Sequence, residues 1–207
     1  MTPYSEACER NRGPILEVLR EVFAGGRKVL EIGSGTGQHA VYFAAHLPHL
    51  IWQPADLAEN LPGIEGWRAE AARGSAAAGA SAGLPNLLPP LMLDVNQPQW
   101  PDTGADAVFS ANTLHIMSWY EVRLFFAGVG RLLPATGVLA VYGPFNYGGR
   151  YTSESNARFD RSLRNRDPRS GIRDFEAVDA LAAEQRLVLQ RDVAMPANNR
   201  TLVWRRG

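Results

Sequence analysis

Apolar and polar positions along the chain change their period repeatedly. Over residues 15–23, Ile15, Leu16, Leu19, Val22 and Phe23 recur at helical spacing, and Gly25-Gly26 ends the pattern. Residues 28–32 are a short apolar run, read as a strand. Helical spacing returns over 38–47. A second apolar run, 50–53, is closed by Pro54, and a third helix is expected over 61–72. Strands are predicted at 90–93, 107–111 and 138–142, with a helix over 120–133 between the last two. Residues 147–168 are polar, rich in Asn, Arg and Asp, and receive no element. A helix over 175–184 and two closing strands, 187–193 and 201–204 joined by AMPANNR, complete the chain.

Strand and helix alternate through most of this order. That implies an α/β fold: a doubly wound, mostly parallel sheet with helices on both faces. The last two strands are close enough in sequence to pair antiparallel at the end of the sheet. One domain is expected over 1–207. It carries a flexible Ala/Gly-rich insertion around 73–86, because RGSAAAGASAGLPN has the composition of a loop or frayed helix end.

Composition narrows the partners. The 207 residues carry 21 basic and 21 acidic side chains, which argues against a broad electrostatic grip on nucleic acid or anionic lipid. Cys8 is the single cysteine, so no intrachain disulfide forms. The N-terminus has no apolar signal region, and no apolar run is long enough to span a bilayer, so a cytoplasmic location is expected.

The richest motif is VLEIGSGTGQHAVYF, residues 29–43, with Gly33, Gly35 and Gly37 between an apolar strand and a helix. Ligands of a doubly wound sheet sit beyond the carboxyl ends of its strands, and glycine lets the backbone turn sharply and approach a ligand. A dinucleotide fingerprint starting at Gly33 fails at Gln38, but one starting at Gly35 finds Gly37 and Ala40, so the glycines alone leave NAD open. Glu31 helps to decide. A carboxylate two residues before the first glycine suits a cationic ligand better than a pyrophosphate. Here the stretch resembles motif I of class I S-adenosylmethionine (SAM)-dependent methyltransferases, whose cofactor carries a sulfonium and an ammonium and no phosphate.

Further motifs follow in order. WQPAD ends the second strand with Asp56, about where an acid would receive ribose hydroxyls; capping the next helix is its rival role. LMLDV brings Asp94 and Val95 to the place where such enzymes hold adenine, and SANTLHIMSW follows the fourth strand, with Asn112 and His115. The blocks ERNRGPILEVL, LEIGSGTGQHAVYFA, HLIWQPAD, ANTLHIMSW, YGPFNYGGRYTSESNARFD, GIRDFEAV and MPANNRTLVW resemble those of methyltransferase-like protein 26 and its bacterial relatives, over nearly the whole chain except residues 73–84. The resemblance implies a Rossmann-like seven-stranded fold and binding of SAM through Glu31, Gly33, Ser34, Gly35, Gly37, Asp56, Asp94, Val95 and Asn112.

Methyl transfer from a sulfonium mainly needs alignment of nucleophile and methyl, with a base only where the acceptor carries a proton. His115, just after the fourth strand, is the candidate base, with a local structural role as the equal alternative. His39 is read as structural, and His46 and His49 as facing water. Tyr4, Asn11, Tyr142, Asn146, Asn156, Arg173 and Asn198 are candidate acceptor-site residues. Arg173 has two readings, an ion pair with Asp174 or a clamp for a carboxylate. No His, Cys and carboxylate spacing suggests a metal, no G-x-S-x-G elbow occurs, and Asn112-Thr113-Leu114-His115 departs from the N-P-P-Y tetrad of nucleic-acid base methylation. The leading expectation is therefore a SAM-dependent methyltransferase acting on a small molecule, with no nucleic-acid or membrane partner. Its alternatives are a SAM-binding module without turnover and an NAD(P)-dependent oxidoreductase.

Overall fold

A computed structural model describes residues 2–77 and 83–207. By its internal contacts the chain divides into two compact units, residues 1–109 and 110–207. The first unit opens with α1 (Glu6–Val22), followed by β1 (Lys28–Ile32), α2 (Gln38–His46), β2 (Ile51–Asp56), α3 (Leu61–Ala77), β3 (Leu91–Met92) and the start of β4 (Ala107–Ala111). The second contains α4 (Trp119–Leu132), β5 (Val138–Gly143), β6 (Phe145–Asn146), α5 (Glu154–Arg166), β7 (Arg173–Asp174), α6 (Phe175–Glu184), β8 (Leu187–Met195), a 3-10 turn at Pro196–Asn198 and β9 (Asn199–Arg206).

Seven strands form one sheet in the order β3-β2-β1-β4-β5-β9-β8, and β6 and β7 form a separate parallel pair. β1 runs parallel to β2 and β4, and β2 to β3. β9 runs antiparallel to both β5 and β8. The expected mostly parallel α/β sheet with antiparallel closing strands is therefore the observed one. β1 lies between β2 and β4, so strand order reverses at its carboxyl end, which makes that end the natural crevice of the sheet.

The core of the first unit explains the register. Leu30, Phe43, Trp52 and Phe109 are fully buried, and the Phe43 ring lies 5.4 Å from both Trp52 and Phe109. Asp106 fixes the start of β1: its carboxylate accepts the backbone N–H of Arg27 and of Lys28 at 2.9–3.0 Å. Pro54 lies inside β2, not at its end. Trp52 and Asp56 turn their backbone groups toward the 86–93 segment, through Trp52 N to Asn86 O and Leu93 N to Asp56 O. The missing N–H of Pro54 falls on that same side, where the pairing is interrupted and the Gln53 amide donates to Pro89 O at 2.7 Å.

Other boundaries also differ from the sequence reading. α1 begins at Glu6, capped by the Ser5 hydroxyl, and contains Pro14. The polar 147–168 stretch contains α5, a full helix. Its inward face is Asn156, Asp160 and Leu163, at helical spacing but mostly polar, so the apolar period that reveals a buried face is missing. Of the expected flexible insertion around 73–86, residues 78–82 lie outside the described residues. Before them α3 continues to Ala77, and after them the Asn86 amide donates to Ala44 O and Leu50 O at 2.9 Å. Among the described residues no helix is long and apolar enough to cross a membrane.

Asp106→Ala leaves the Arg27 and Lys28 N–H groups without their carboxylate. It is expected to lower unfolding free energy by about 1–3 kcal/mol in urea titration, with the m-value unchanged.

Candidate functional site

Beyond the end of β1, Gly33, Gly35 and Gly37 all take positive φ, at 77°, 56° and 90°. They are not equivalent. A Cβ on Gly37 would stand 2.8 Å from Ile64 Cα, so this glycine lets α2 and α3 approach. A Cβ on Gly35 would meet nothing within 4 Å. Gly35 thus borders open space, and it lines a cleft of about 670 Å³ with Thr36, Glu59, Asn60, Pro62 and the N-terminal Pro3. Of the residues expected to hold the cofactor, Gly35 is the one in this lining. Thr36 lies inside the glycine motif, and the remaining walls had no signal in the sequence beyond the position of Asn60, four residues after Asp56.

Asp56 ties the glycine loop to β2. Its Oδ2 accepts the Gly35 N–H at 2.6 Å, while Oδ1 accepts Leu57 N at 2.7 Å and Asn60 Nδ2 at 2.8 Å. It does not cap α3, whose first turn is closed by the Asn60 carbonyl. A carboxylate has about four lone-pair positions, so one remains for a ligand hydroxyl. Ser34 is spent within the fold: its hydroxyl donates to Glu31 O and accepts Ala55 N. β3 ends just before Asp94 and Val95, on the same edge of the parallel strands as Ile32 and Asp56. The Asp94 carboxylate is engaged by Asn96 through both backbone and side-chain N–H at 2.9 Å.

Glu31 is about 1 % exposed, and its Oε2 accepts the Trp52 indole N–H at 2.8 Å. Burial pushes this carboxyl up to about 7, against the pull of the Trp52 and Ser34 hydrogen bonds and with a small push from Asp56. The N-terminal segment also reaches the loop. Gln38 accepts Ser5 N at 2.5 Å and donates to Glu9 at 3.1 Å, and Pro3 O accepts the Trp67 indole N–H. Asn11 is buried against His39, 2.7 Å from Oδ1 to Nε2, so it serves the fold and is not open to an acceptor. Burial and then Arg12 hold His39 down at about 4. Tyr4 is exposed.

In the second unit His115 is buried and meets Phe159 edge-on, and among the described residues neither ring nitrogen has a hydrogen-bond partner. Burial, then Arg173 and Arg166, lower it to about 4, so the ring is unprotonated at neutral pH. Arg173 is not ion-paired with Asp174. Its guanidinium donates to the carbonyls of Leu114, Met117 and Arg169, which fastens the loop that carries His115. Asn112 takes positive φ and donates its N–H to Tyr142 O at 2.8 Å. Tyr142 is buried in β5. Asn156 is buried and donates to Thr152 Oγ1 and Asn198 O. Asn146 is buried, and among the described residues its Oδ1 has no hydrogen-bond partner. Asn198 borders a separate cavity. His46 and His49 are exposed, as expected.

The family described as "Protein of unknown function (DUF938)" matches residues 2–206. Among solved structures, an O-methyltransferase family protein from Burkholderia thailandensis superposes with a TM-score of 0.79 at 18% identity, covering 98% of this chain and 58% of its own. Human N-acetylserotonin methyltransferase in complex with SAM gives a TM-score of 0.72 at 14% identity, covering 99% and 60%. PigF with SAH gives 0.76 at 15% identity, covering 95% and 56%. The likeness identifies the fold as methyltransferase-like, and the chain spans a little over half the length of these structures.

Glu31 has a consequence for stability. Its folded pKa of about 7 lies above its ordinary value of 4.5, so the folded state holds the proton more tightly. Stability at this group falls as pH rises from about 4.5 to about 7 and is level above. Glu31→Gln keeps an acceptor for Trp52 and is expected to remove that slope. Relative to the native protein it gains roughly 2–4 kcal/mol between pH 4.5 and pH 8, read from urea titrations at several pH values.

Proposed function

The chain belongs to the DUF938 family, and we propose that it is a SAM-dependent methyltransferase acting on a small-molecule acceptor. Within the family we read it as a relative of methyltransferase-like protein 26, on the sequence blocks quoted above. The observation that carries the proposal is the pairing of an open, positive-φ Gly35 with a buried Glu31 carboxyl two residues before the glycines. A pyrophosphate would put its charge beside Glu31, whereas a sulfonium nucleoside brings positive charge and favours the ionised carboxylate. The neighbours described with SAM or SAH, at low identity, add a fold that accommodates such ligands.

When bound, SAM supplies a methyl group on an activated sulfonium. The residues of this chain provide the rest. Gly33, Gly35 and Gly37 allow close approach of the backbone, Asp56 receives ribose hydroxyls with its remaining lone pair, and Asp94 with the Val95 N–H takes the adenine. Ser34 fixes the loop, and Asn112 holds the turn after β4. His115, unprotonated at neutral pH and free of hydrogen-bond partners among the described residues, accepts the acceptor's proton. Arg173 acts through the loop carbonyls and is a positioning residue. Asn146 Oδ1 is available to an acceptor N–H or O–H. No nucleic-acid or membrane partner belongs to this reading.

Calorimetric titration of the full chain with SAM, S-adenosylhomocysteine and NAD tests the ligand. The first two are expected to bind and NAD not to; binding of NAD alone overturns the reading. Gly35→Leu fills the open space and is expected to weaken SAM binding by a hundredfold or more, about 3 kcal/mol.

His115→Ala separates enzyme from binding module. Once an acceptor is found by screening a metabolite extract with methyl-labelled SAM, turnover is expected to fall by about 10²-fold or more with SAM affinity nearly unchanged. Equal loss of both would make His115 a scaffold residue. The absence of any labelled product would favour a module without turnover.

A further inference from the structure

A second cavity, of about 460 Å³, lies wholly within the second unit, lined by Tyr147, Thr152, Met195, Asn198, Asn199 and Arg200. Its volume is that of a small-molecule site, and its wall is preformed. Asp192 accepts Arg200 Nε at 2.7 Å and the Tyr147 hydroxyl at 2.8 Å, and the Arg200 guanidinium lies 5.7 Å above the Tyr147 ring. Phe175 stacks on that ring at 5.2 Å. Arg200, the one cation among the described lining residues, is thus neutralised by a carboxylate from the neighbouring strand. Tyr147 stays protonated, because burial and then Asp192 push its phenol well above the usual range.

The remaining polar groups are uncharged. Asn198 donates its amide to Ser155 Oγ at 3.3 Å, and Asn199 donates its amide to Pro196 O at 3.2 Å. Each amide spends one of its two N–H groups inside the protein and keeps the other, with its carbonyl, for a ligand. The turn that carries them joins β8 to β9, and Ala197 and Asn198 both sit at φ 58°, the paired positive φ of a tight hairpin turn, which asparagine enters readily. α5 holds it, through Asn156 Nδ2 to Asn198 O at 3.1 Å.

We propose that this cavity binds an uncharged small molecule with an apolar body and a polar group that both donates and accepts hydrogen bonds, a site independent of SAM binding. An ion of either sign would lose its hydration there without meeting an unpaired opposite charge, because Arg200 and Asp192 are spent on each other. Met195 and Thr152 receive the apolar body, and the Asn198 and Asn199 amides meet the polar group.

Backbone amide NMR of the labelled full chain tests this with three matched probes: benzamide, benzoate and benzylammonium. Benzamide is expected to shift the signals of Ala194, Met195 and 198–200 in a saturable way, with the charged probes about tenfold weaker. Benzamide shifts elsewhere only, no saturation, or equal binding of a charged probe at these signals would overturn the proposal. Asp192→Asn releases Arg200 and is expected to tighten benzoate at the same signals by about tenfold; unchanged benzoate binding contradicts the neutralised wall. Should that variant not fold, Asn199→Ala serves: benzamide binding is expected to weaken with no gain for benzoate, and undiminished benzamide binding counts against the site.

Discussion

The bond from Gly35 N–H to Asp56 Oδ2, 2.6 Å long, is the constraint on which the first unit's site depends. Three left-handed glycines in five residues have many conformations open to them, and nothing in glycine itself selects one. Selection comes from neighbours. Ser34 and Gly33 splice the end of β1 onto Ala55, Ile64 closes over Gly37, and Asp56 fixes Gly35 from the end of β2. Asp56 is in turn oriented by Leu57 N and Asn60. Two adjacent parallel strands, paired in register from Lys28 with Ile51 to Ile32 with Ala55, thereby set a loop whose sequence would leave it loose.

Each unit withdraws charge-capable groups wholly or partly from water and deals with each differently. Glu31 keeps its proton until about pH 7 and gives one oxygen to Trp52. His39 stays neutral against Asn11. Arg173 cannot lose its charge at any working pH, so it must be solvated by protein, and three backbone carbonyls do so. Arg200 is solvated instead by the carboxylate of Asp192. Carbonyl solvation leaves a net positive charge, which adds to burial in lowering the pKa of nearby His115, whereas the carboxylate leaves a neutral wall. The same residue type therefore produces two electrostatic settings in one unit.

Much of this was legible in the sequence, for identifiable reasons. α6 and β4 match their expected bounds, and α2 does so within one residue, because each has an apolar face or a largely apolar run. The glycine loop announced itself by spacing. α5 was invisible because its inner face is Asn156, Asp160 and Leu163 and its hydrogen bonds, not its hydropathy, hold it. Pro54 looked like a terminator because a sequence does not say which side of a strand lacks a partner. Arg173 and Asp174, adjacent in the chain, looked like a pair, but in an extended strand neighbours face opposite ways. The arginine's partners lie 4 to 59 residues away, beyond the reach of local reading.

Side-chain amides were the most ambiguous letters. Asn112 reads as a cofactor contact and Asn11, Asn146, Asn156 and Asn198 as acceptor-site residues, but an amide offers two donors and one acceptor oxygen to a ligand or to the scaffold alike. What separates them is which end is already used. Asn156 spends its amide on two oxygens and serves the scaffold. Asn11 spends its carbonyl on His39 and does the same. Asn146 keeps a buried carbonyl unpartnered among the described residues, and a buried acceptor without a donor costs about 1–3 kcal/mol. In the proposed reading that carbonyl takes an N–H or O–H of the methyl acceptor. A carboxylate or phosphate ion, which has no hydrogen to donate, cannot satisfy it. The amides of Asn198 and Asn199 differ, because each keeps one N–H as well as its carbonyl, so their cavity can meet donors and acceptors alike.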